Sequence, residues 1–420
     1  NLLIFTSTDD GRTVIANTTG DPENAACTAV VIDADSATAY DYQNGPTACV
    51  GLLPHPDGGF FLRTVDPTAD PQADPPVPAG ATVRIDGQGN EVWSLSDQEL
   101  VDASPESEGG TGEFLGQYNS PVRLMAYSAE FDKVIAFTNG LLNIGGGSRL
   151  VQAHVVDADD GQLRVSGQTF GEDSGGTLAA LTTRETDGDF VLAIFRAGTA
   201  GANFYTYNGR SSIDFFRPVG EDWDERDVRG ITYDQQSNFY IMWVEGEGET
   251  AKTNMTAAGS DESLLWSQTY EPEARVDGAN TPLGAPLAFW VGSRYAVILY
   301  STPDALMLRV VDILDGTELG VAALEPPNGY VPLTILNGEQ QRLKLVTLDE
   351  ENSRVVEYEI GVEDIEDNGG DADAGSADGG SSGGGGGDGC GCASQGTGSV
   401  PTGAAMVALV GLIALRLRRD

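Results

Sequence analysis

Apolar residues along this chain fall in short runs, and none repeats at helical spacing for long. "NLLIFTS", "AVVIDA", "GFFLRTV", "KVIAFTN", "FVLAIFRA", "NFYIMWVE" and "YAVILYS" are rich in Val, Ile, Phe and Tyr. Each is bounded by Gly, Asp, Asn or Pro, the punctuation of strands rather than of helices. Before the C-terminal tail no stretch keeps apolar residues at i, i+3, i+4 and i+7. The one candidate helix lies in "SDQELVDAS" after Ser96, and "DPTADPQADPPVPAGA" reads as an exposed loop. The pattern therefore predicts an all-β body.

A longer pattern overlies the strands. "AVVIDADSATAYDY", "TVRIDGQGNEVWSL", "HVVDADDGQLRVSGQTF", "NMTAAGSDESLLWSQTY" and "RVVDILDGTELGVAAL" each give a strand, an Asp turn with Gly, Asn or Ser, and a second strand. Asp and Gly tolerate the backbone angles of a tight turn, so each reads as an antiparallel hairpin. A second strand pair precedes each hairpin, most clearly in "GITYDQQSNFYIMWVEG". The unit is thus four strands, with ends near Tyr42, Leu95, Phe170, Val219, Tyr270, Leu324 and Ile360. Four strands at that period predict a β-propeller over residues 1–362, most simply of seven blades. A pair of β-sandwiches would show turns every 8 to 12 residues without the four-strand period. The last unit reads as one strand short, so "NLLIFTS" is expected to complete it and close the ring.

The hairpin units resemble the blades of PQQ-type and WD40-like propellers. "VIDADSATAYDY", "VVDADDGQL" and "IDGQGNEVWSL" carry the likeness, and the characteristic Trp stands at Trp93 and Trp266. The resemblance implies the architecture and not quinone chemistry.

Charge narrows the partners. The 420 residues hold 64 acidic and 23 basic side chains, a net charge of −41. Residues 366–420 contribute 7 acidic and 3 basic, so the body keeps 57 against 20. Such a surface repels nucleic acid and anionic membranes. The chain begins at Asn1 and is read as mature or truncated. Of four cysteines, Cys27 and Cys49 lie in the body, and in an exported protein they are expected to form a disulfide; two separate buried thiols is the other reading.

Candidate chemistry is thin. "DSGG" around Ser174 has the form of a serine-protease nucleophile, but the only histidines, His55 in "LLPHPDGG" and His154 in "HVVDADDG", stand in no matching context. A polar turn is the simpler reading. Two histidines argue against zinc, and no metal ligand set emerges. No cofactor is expected; calcium is conceivable at "DADDG", Asp157–Gly161, where an ordinary hairpin turn is the simpler reading. Trp223, Trp290 and Tyr295 are expected to pack between blades rather than line a ligand face. Asn17 and Asn254 match the N-glycosylation triplet, which is common by chance.

The end of the chain changes character. Residues 363–389 are rich in Gly, Asp and Ser and read as a flexible linker. Then come Cys390 and Cys392, an apolar run that reads as a short transmembrane helix at about residues 400–417, and Arg416, Arg418 and Arg419. This order over residues 390–420 resembles the MYXO-CTERM sorting signal of myxobacterial exported proteins. The resemblance implies inner-membrane retention and cleavage near Cys390 or Cys392 by a myxosortase-type processing protease. It also implies export to the outer-membrane surface with lipid attachment at a cysteine. The function expected is a non-catalytic propeller binding a surface protein, glycan or polymer. The alternative is a propeller-scaffold enzyme such as a glycan lyase or hydrolase.

Overall fold

The computed structural model describes residues 3–8, 11–32, 37–42, 47–68, 80–102, 114–115, 125–142, 148–170, 176–184, 187–196, 202–209, 213–216, 223, 226–245, 252–270, 288–292, 294–301, 306–324, 329–337, 343–349, 351–352 and 354–360. The linker, Cys390, Cys392, the arginines at 416, 418 and 419, and Ser174 lie outside them. Among the described residues no helix is long and apolar enough to cross a membrane.

The strands form seven antiparallel sheets in chain order. The first holds β1 (Leu3–Ser7), β2 (Thr13–Thr19), β3 (Ala26–Ile32) and β4 (Ala37–Tyr42). The second holds β5 (Ala48–Pro54), β6 (Phe60–Val65), β7 (Gly80–Ile85) and β8 (Glu91–Ser96), and helix α1 (Asp97–Asp102) follows it. The third adds a short β9 (Phe114–Leu115) to β10 (Met125–Ser128), β11 (Lys133–Leu142), β12 (Ser148–Asp157) and β13 (Leu163–Phe170). The fourth holds β14 (Gly176–Thr183), β15 (Phe190–Arg196), β16 (Ala202–Tyr207) and β17 (Ile213–Phe216). The fifth holds β18 (Asp227–Tyr233), β19 (Phe239–Glu245), β20 (Lys252–Ala258) and β21 (Leu264–Tyr270). The sixth holds β22 (Ala288–Val291), β23 (Tyr295–Ser301), β24 (Leu306–Asp312) and β25 (Glu318–Ala323). The seventh has three described strands, β26 (Val331–Asn337), β27 (Leu343–Asp349) and β28 (Arg354–Ile360). The sheets end within a few residues of the unit ends read from the sequence.

One expectation is corrected. "NLLIFTS" does not complete the last sheet. Its strand β1 pairs with β2, from Leu3 opposite Asn17 to Ser7 opposite Thr13. The turn between them explains this. Gly11 takes φ 83° and donates its N–H to the Thr8 carbonyl, so a tight hairpin folds β1 onto its own neighbour.

The chain divides into two compact units, Asn1–Glu245 with Asn254–Ser267, and Gly246–Thr253 with Gln268–Asp420. In the first unit each pair of consecutive sheets encloses its own core. Val14, Ala29, Phe60 and Val83 meet between the first and second sheets, and Phe61, Trp93, Val134 and Val156 between the second and third. Ile135, Val155, Phe190 and Tyr207 meet between the third and fourth, and Phe204, Trp223, Ile231 and Trp243 between the fourth and fifth. In this unit the first strands of successive sheets, β1, β5, β10, β14 and β18, lie next to one another. In the second unit Val297, Leu308, Leu345 and Tyr358 form the core between its two sheets.

Burial follows strand position. In β6 nearly every residue is buried, because its sheet packs against the first sheet on one face and the third on the other, and β19 is buried along nearly its whole length as well. The fourth strands β8 and β21 are far less buried, and the residues they bury are aromatic, Trp93 in β8 and Trp266 and Tyr270 in β21. The continuous apolar runs of the sequence are thus interior strands. Trp223 is fully buried and meets Phe204 edge-on, while Trp290 and Tyr295 pack against the second unit's core. Asn17 and Asn254 are buried within β2 and β20, so neither is available to carry a glycan. Cys27 on β3 and Cys49 on β5 form a disulfide with Cα atoms 5.1 Å apart, which ties the first sheet to the second.

The hairpin turns are built by aspartate, as their composition predicts. Asp86 accepts from the N–H groups of Gln88 and Asn90, Asp234 from those of Gln236 and Asn238, and Asp315 from that of Thr317. Gly89, Ser237 and Gly316 take the positive φ in these turns, as Gly161 does in the β12–β13 turn.

Candidate metal centre

The two histidines lie in different settings, each beside an Arg–Asp pair. His154, on β12, is fully buried. Burial first, and then the charge of Arg63, lower its pKa to about 4. Arg63, on β6, meets Asp97 through two hydrogen bonds of 2.5 and 2.6 Å, with both side chains 1% exposed. Asp97 is placed there by the start of α1. The Ser96 hydroxyl accepts from the Glu99 N–H, and the Glu99 carboxylate accepts from the Ser96 N–H and hydroxyl, a capping box that fixes the first turn.

His55 sits where the sequence predicts a turn, between β5 and β6. Its ring is wedged among Phe61, at 5.5 Å edge-on, and Tyr127, at 5.1 Å, and the side chain is 9% exposed. Nδ1 lies 2.8 Å from Asp57 Oδ1 and 2.7 Å from Arg84 Nη2. Arg84, on β7, also bonds Asp57 Oδ2 at 2.5 Å and lies over the Phe61 ring. Burial alone would raise the Asp57 carboxyl. Hydrogen bonds from Arg84, the Gly59 N–H and His55 outweigh it and hold the pKa at about 2.

The other ring nitrogen faces the third sheet. His55 Nε2 is buried, has no hydrogen-bond partner among the described residues, and lies 3.8 Å from Asp132 Oδ1. Asp132 closes the β10–β11 turn at φ 51°, in the left-handed region that Gly11, Gly58 and Gly188 occupy in other first-pair turns. Tyr127 donates its hydroxyl to Asp132 Oδ1 at 3.0 Å. Burial first, and then this bond, raise the Tyr127 pKa above its ordinary range. The β12–β13 turn reaches the same place, because the Ala158 N–H donates to the Asp132 carbonyl at 3.1 Å. Trp93 fixes that turn from the second sheet: its indole N–H donates to the Ala158 carbonyl at 2.8 Å. Gly161 is needed here, since a Cβ would come within 2.7 Å of the indole. Asp159 is thereby brought beside Asp132. One ligand atom from each of His55, Asp132 and Asp159 lies within 4.8 Å of the other two.

The carboxylates of "DADDG" divide between tasks. Asp157 pairs with Lys133 and Arg164, Asp160 accepts from the Gln162 N–H, and Asp159 alone joins the His55 group. No motif in the sequence links these three residues, because they come from turns of two different sheets. The signal present in the sequence was a histidine in an Asp-rich turn.

No protein-family model matches the chain, and no curated protein does. Among solved structures, a protein of unknown function from Dyadobacter fermentans aligns at 12% identity over 72% of this chain and 90% of its own, with a TM-score of 0.45. An uncharacterized protein from Listeria monocytogenes aligns at 10% identity over 84% and 93%, with a TM-score of 0.46. Prolyl oligopeptidase B from Galerina marginata aligns at 12% identity over 87% of this chain and 49% of its own, with a TM-score of 0.49. Likenesses this distant carry no argument about what this chain does.

Proposed function

We propose that the body is a closed seven-bladed β-propeller serving as a non-catalytic binding module, displayed on the cell surface through its C-terminal sorting segment. The observation that carries the reading is the serial stacking of sheets in the first unit, where every consecutive pair encloses a core. A stack of that kind commits its strands to packing and leaves the turns to meet a partner. The partner is a surface protein, glycan or polymer, and the net charge of −41 disfavours nucleic acid. The linker, Cys390 and Cys392, the apolar run and the terminal arginines give the order of a sorting signal, with a myxosortase-type protease cutting near the cysteines.

The test is to replace both Cys390 and Cys392 with alanine in the native host and label intact cells. Loss of surface display, with an uncut C-terminus, is expected. Unchanged display and processing would sink the sorting reading. The alternative, a glycan lyase or hydrolase on the same scaffold, draws on the imidazole and carboxylates of His55, Asp132 and Asp159. Turnover of a polysaccharide panel by the purified protein would favour it over simple binding.

A further inference from the structure

We propose that His55 Nε2 and the carboxylates of Asp132 and Asp159 bind one divalent transition-metal ion, Zn2+ or Mn2+, with Asp57 as the outer partner of the imidazole. The inference does not depend on how the protein is displayed.

Four observations carry it. First, a histidine nitrogen is buried and left without a hydrogen bond among the described residues, and it faces two carboxylates. Buried polar atoms are nearly always satisfied, so an orphan aimed at two ligand groups calls for an occupant. Second, the distances suit a metal. Bonds of about 2.0–2.2 Å put ligand atoms roughly 3–4.3 Å apart, so a group spanning 4.8 Å closes with a sub-ångström adjustment. Asp159 is exposed and can turn inward to make it.

Third, the opposite side of the ring is prepared. A metal-binding imidazole characteristically donates its second N–H to a carboxylate, which fixes the tautomer. Asp57 Oδ1 stands 2.8 Å from Nδ1 for that purpose. Its carboxylate is held in place by the Gly59 N–H at 2.8 Å and by Arg84 at 2.5 Å. Arg84, at 2.7 Å, and the Asp57 N–H, at 3.3 Å, also approach Nδ1 and can only donate, so those contacts need Nδ1 without its proton. A metal on Nε2 selects the other arrangement, in which Nδ1 gives its proton to the bond with the Asp57 carboxylate, Arg84 rests on that carboxylate alone, and the long contact from the Asp57 N–H is given up. Fourth, Asp132 takes a left-handed conformation where the β1–β2, β5–β6 and β14–β15 turns use glycine and the β18–β19 turn uses Ser237, and its carboxylate faces the imidazole. Aspartate tolerates that backbone, and from there its carboxylate reaches the histidine.

The donor set names the class of ion. Calcium takes oxygen ligands only, whereas imidazole suits zinc, manganese and their neighbours. Three protein ligands leave further positions open to water or to an oxygen of a bound partner.

The experiment is calorimetric titration of the full chain with ZnCl2, and separately with MnCl2 and CaCl2, at physiological salt. The background is Cys390→Ser with Cys392→Ser, so that tail thiols do not compete. One saturable site for Zn2+ or Mn2+ is expected, with a matching rise in melting temperature. Asp132→Gly keeps a residue suited to the turn, and Asp159→Asn changes only an exposed side chain, so both should fold. Each is expected to weaken binding by at least about tenfold and to abolish the thermal shift, as is His55→Gln. No saturable binding at millimolar Zn2+ and Mn2+ would overturn the proposal. So would binding that Asp132→Gly and Asp159→Asn leave unchanged, which would be adventitious to the acidic surface. Calcium binding at equal affinity, indifferent to His55→Gln, would overturn it too.

Discussion

His154 and His55 are the two histidines of the chain, and each has an arginine and an aspartate for company. Around His154 the charges close on themselves. Arg63 and Asp97 meet through two hydrogen bonds with almost no exposure, and burial keeps the imidazole neutral. Around His55 the pair of Arg84 and Asp57 satisfies one side of the ring only. Asp57 is half exposed, and the other ring nitrogen faces two carboxylates across to the third sheet. The same ingredients thus make a fastener in one place and an open coordination group in the other. What differs is whether a turn from the next sheet completes the cluster with ligands or a helix start completes it with a counter-ion.

The strongest way to break the contrast is to remove one carboxylate from each cluster. Asp97→Ala leaves Arg63 charged and enclosed, and should cost about 3–5 kcal/mol of stability in denaturant unfolding at neutral pH. Asp57→Ala removes a half-exposed group that water can replace beside Arg84, and should cost no more than about 2 kcal/mol. Equal losses would mean that the two clusters do not differ in the way described.

A pH series sharpens the contrast at the histidine itself. Burial, and then the charge of Arg63, lower the folded pKa of His154 from the ordinary 6.5 of a free imidazole to about 4. Above 6.5 the ring is neutral in both states and its contribution is fully present. As pH falls from 6.5 towards 4 the unfolded chain takes up a proton that the folded protein refuses, so stability is lost. The loss approaches about 3 kcal/mol if the whole shift is realised. His154→Gln should flatten the slope of unfolding free energy against pH in that window. An unchanged slope would show that carboxylates, and not this ring, set the acid response.

The sequence carried the sheets well and the candidate site poorly, for one physical reason. A strand announces itself through apolar residues and its turn through Asp and Gly, all within about ten residues. Sheet ends at Tyr42, Phe170, Tyr270 and Ile360 were therefore readable locally. The same local rule was available for β1, since "STDDGRT" is a turn sequence like the others, and following it would have kept "NLLIFTS" in the first sheet. At β1 the local turn prevails over closure of the ring. The candidate site has no local signal of that kind. His55, Asp132 and Asp159 are far apart in the chain, and only the stacking of the second sheet on the third brings their turns together. The Trp93 indole bonded to Ala158 shows how that register is held, and its partner could not be named from sequence.

The smallest expected effect concerns how Asp132 is held. The Tyr127 hydroxyl donates to Asp132 Oδ1 at 3.0 Å, while the ring packs at a tilt against His55 and Phe61 whether or not the hydroxyl is there. Tyr127→Phe therefore removes one hydrogen bond and little packing, and should cost about 1 kcal/mol in metal-free protein. Asp132→Gly loses the same bond but relieves a left-handed backbone, a strain of about 1–2 kcal/mol for a residue with a side chain. Its net effect should be near zero or slightly stabilising. In the double variant the bond is lost only once, so the two changes should fail to add by about 1 kcal/mol. Strict additivity would mean that the hydroxyl does not hold this carboxylate. Asp132 would then owe its orientation to the turn alone, and Tyr127→Phe should leave zinc affinity untouched.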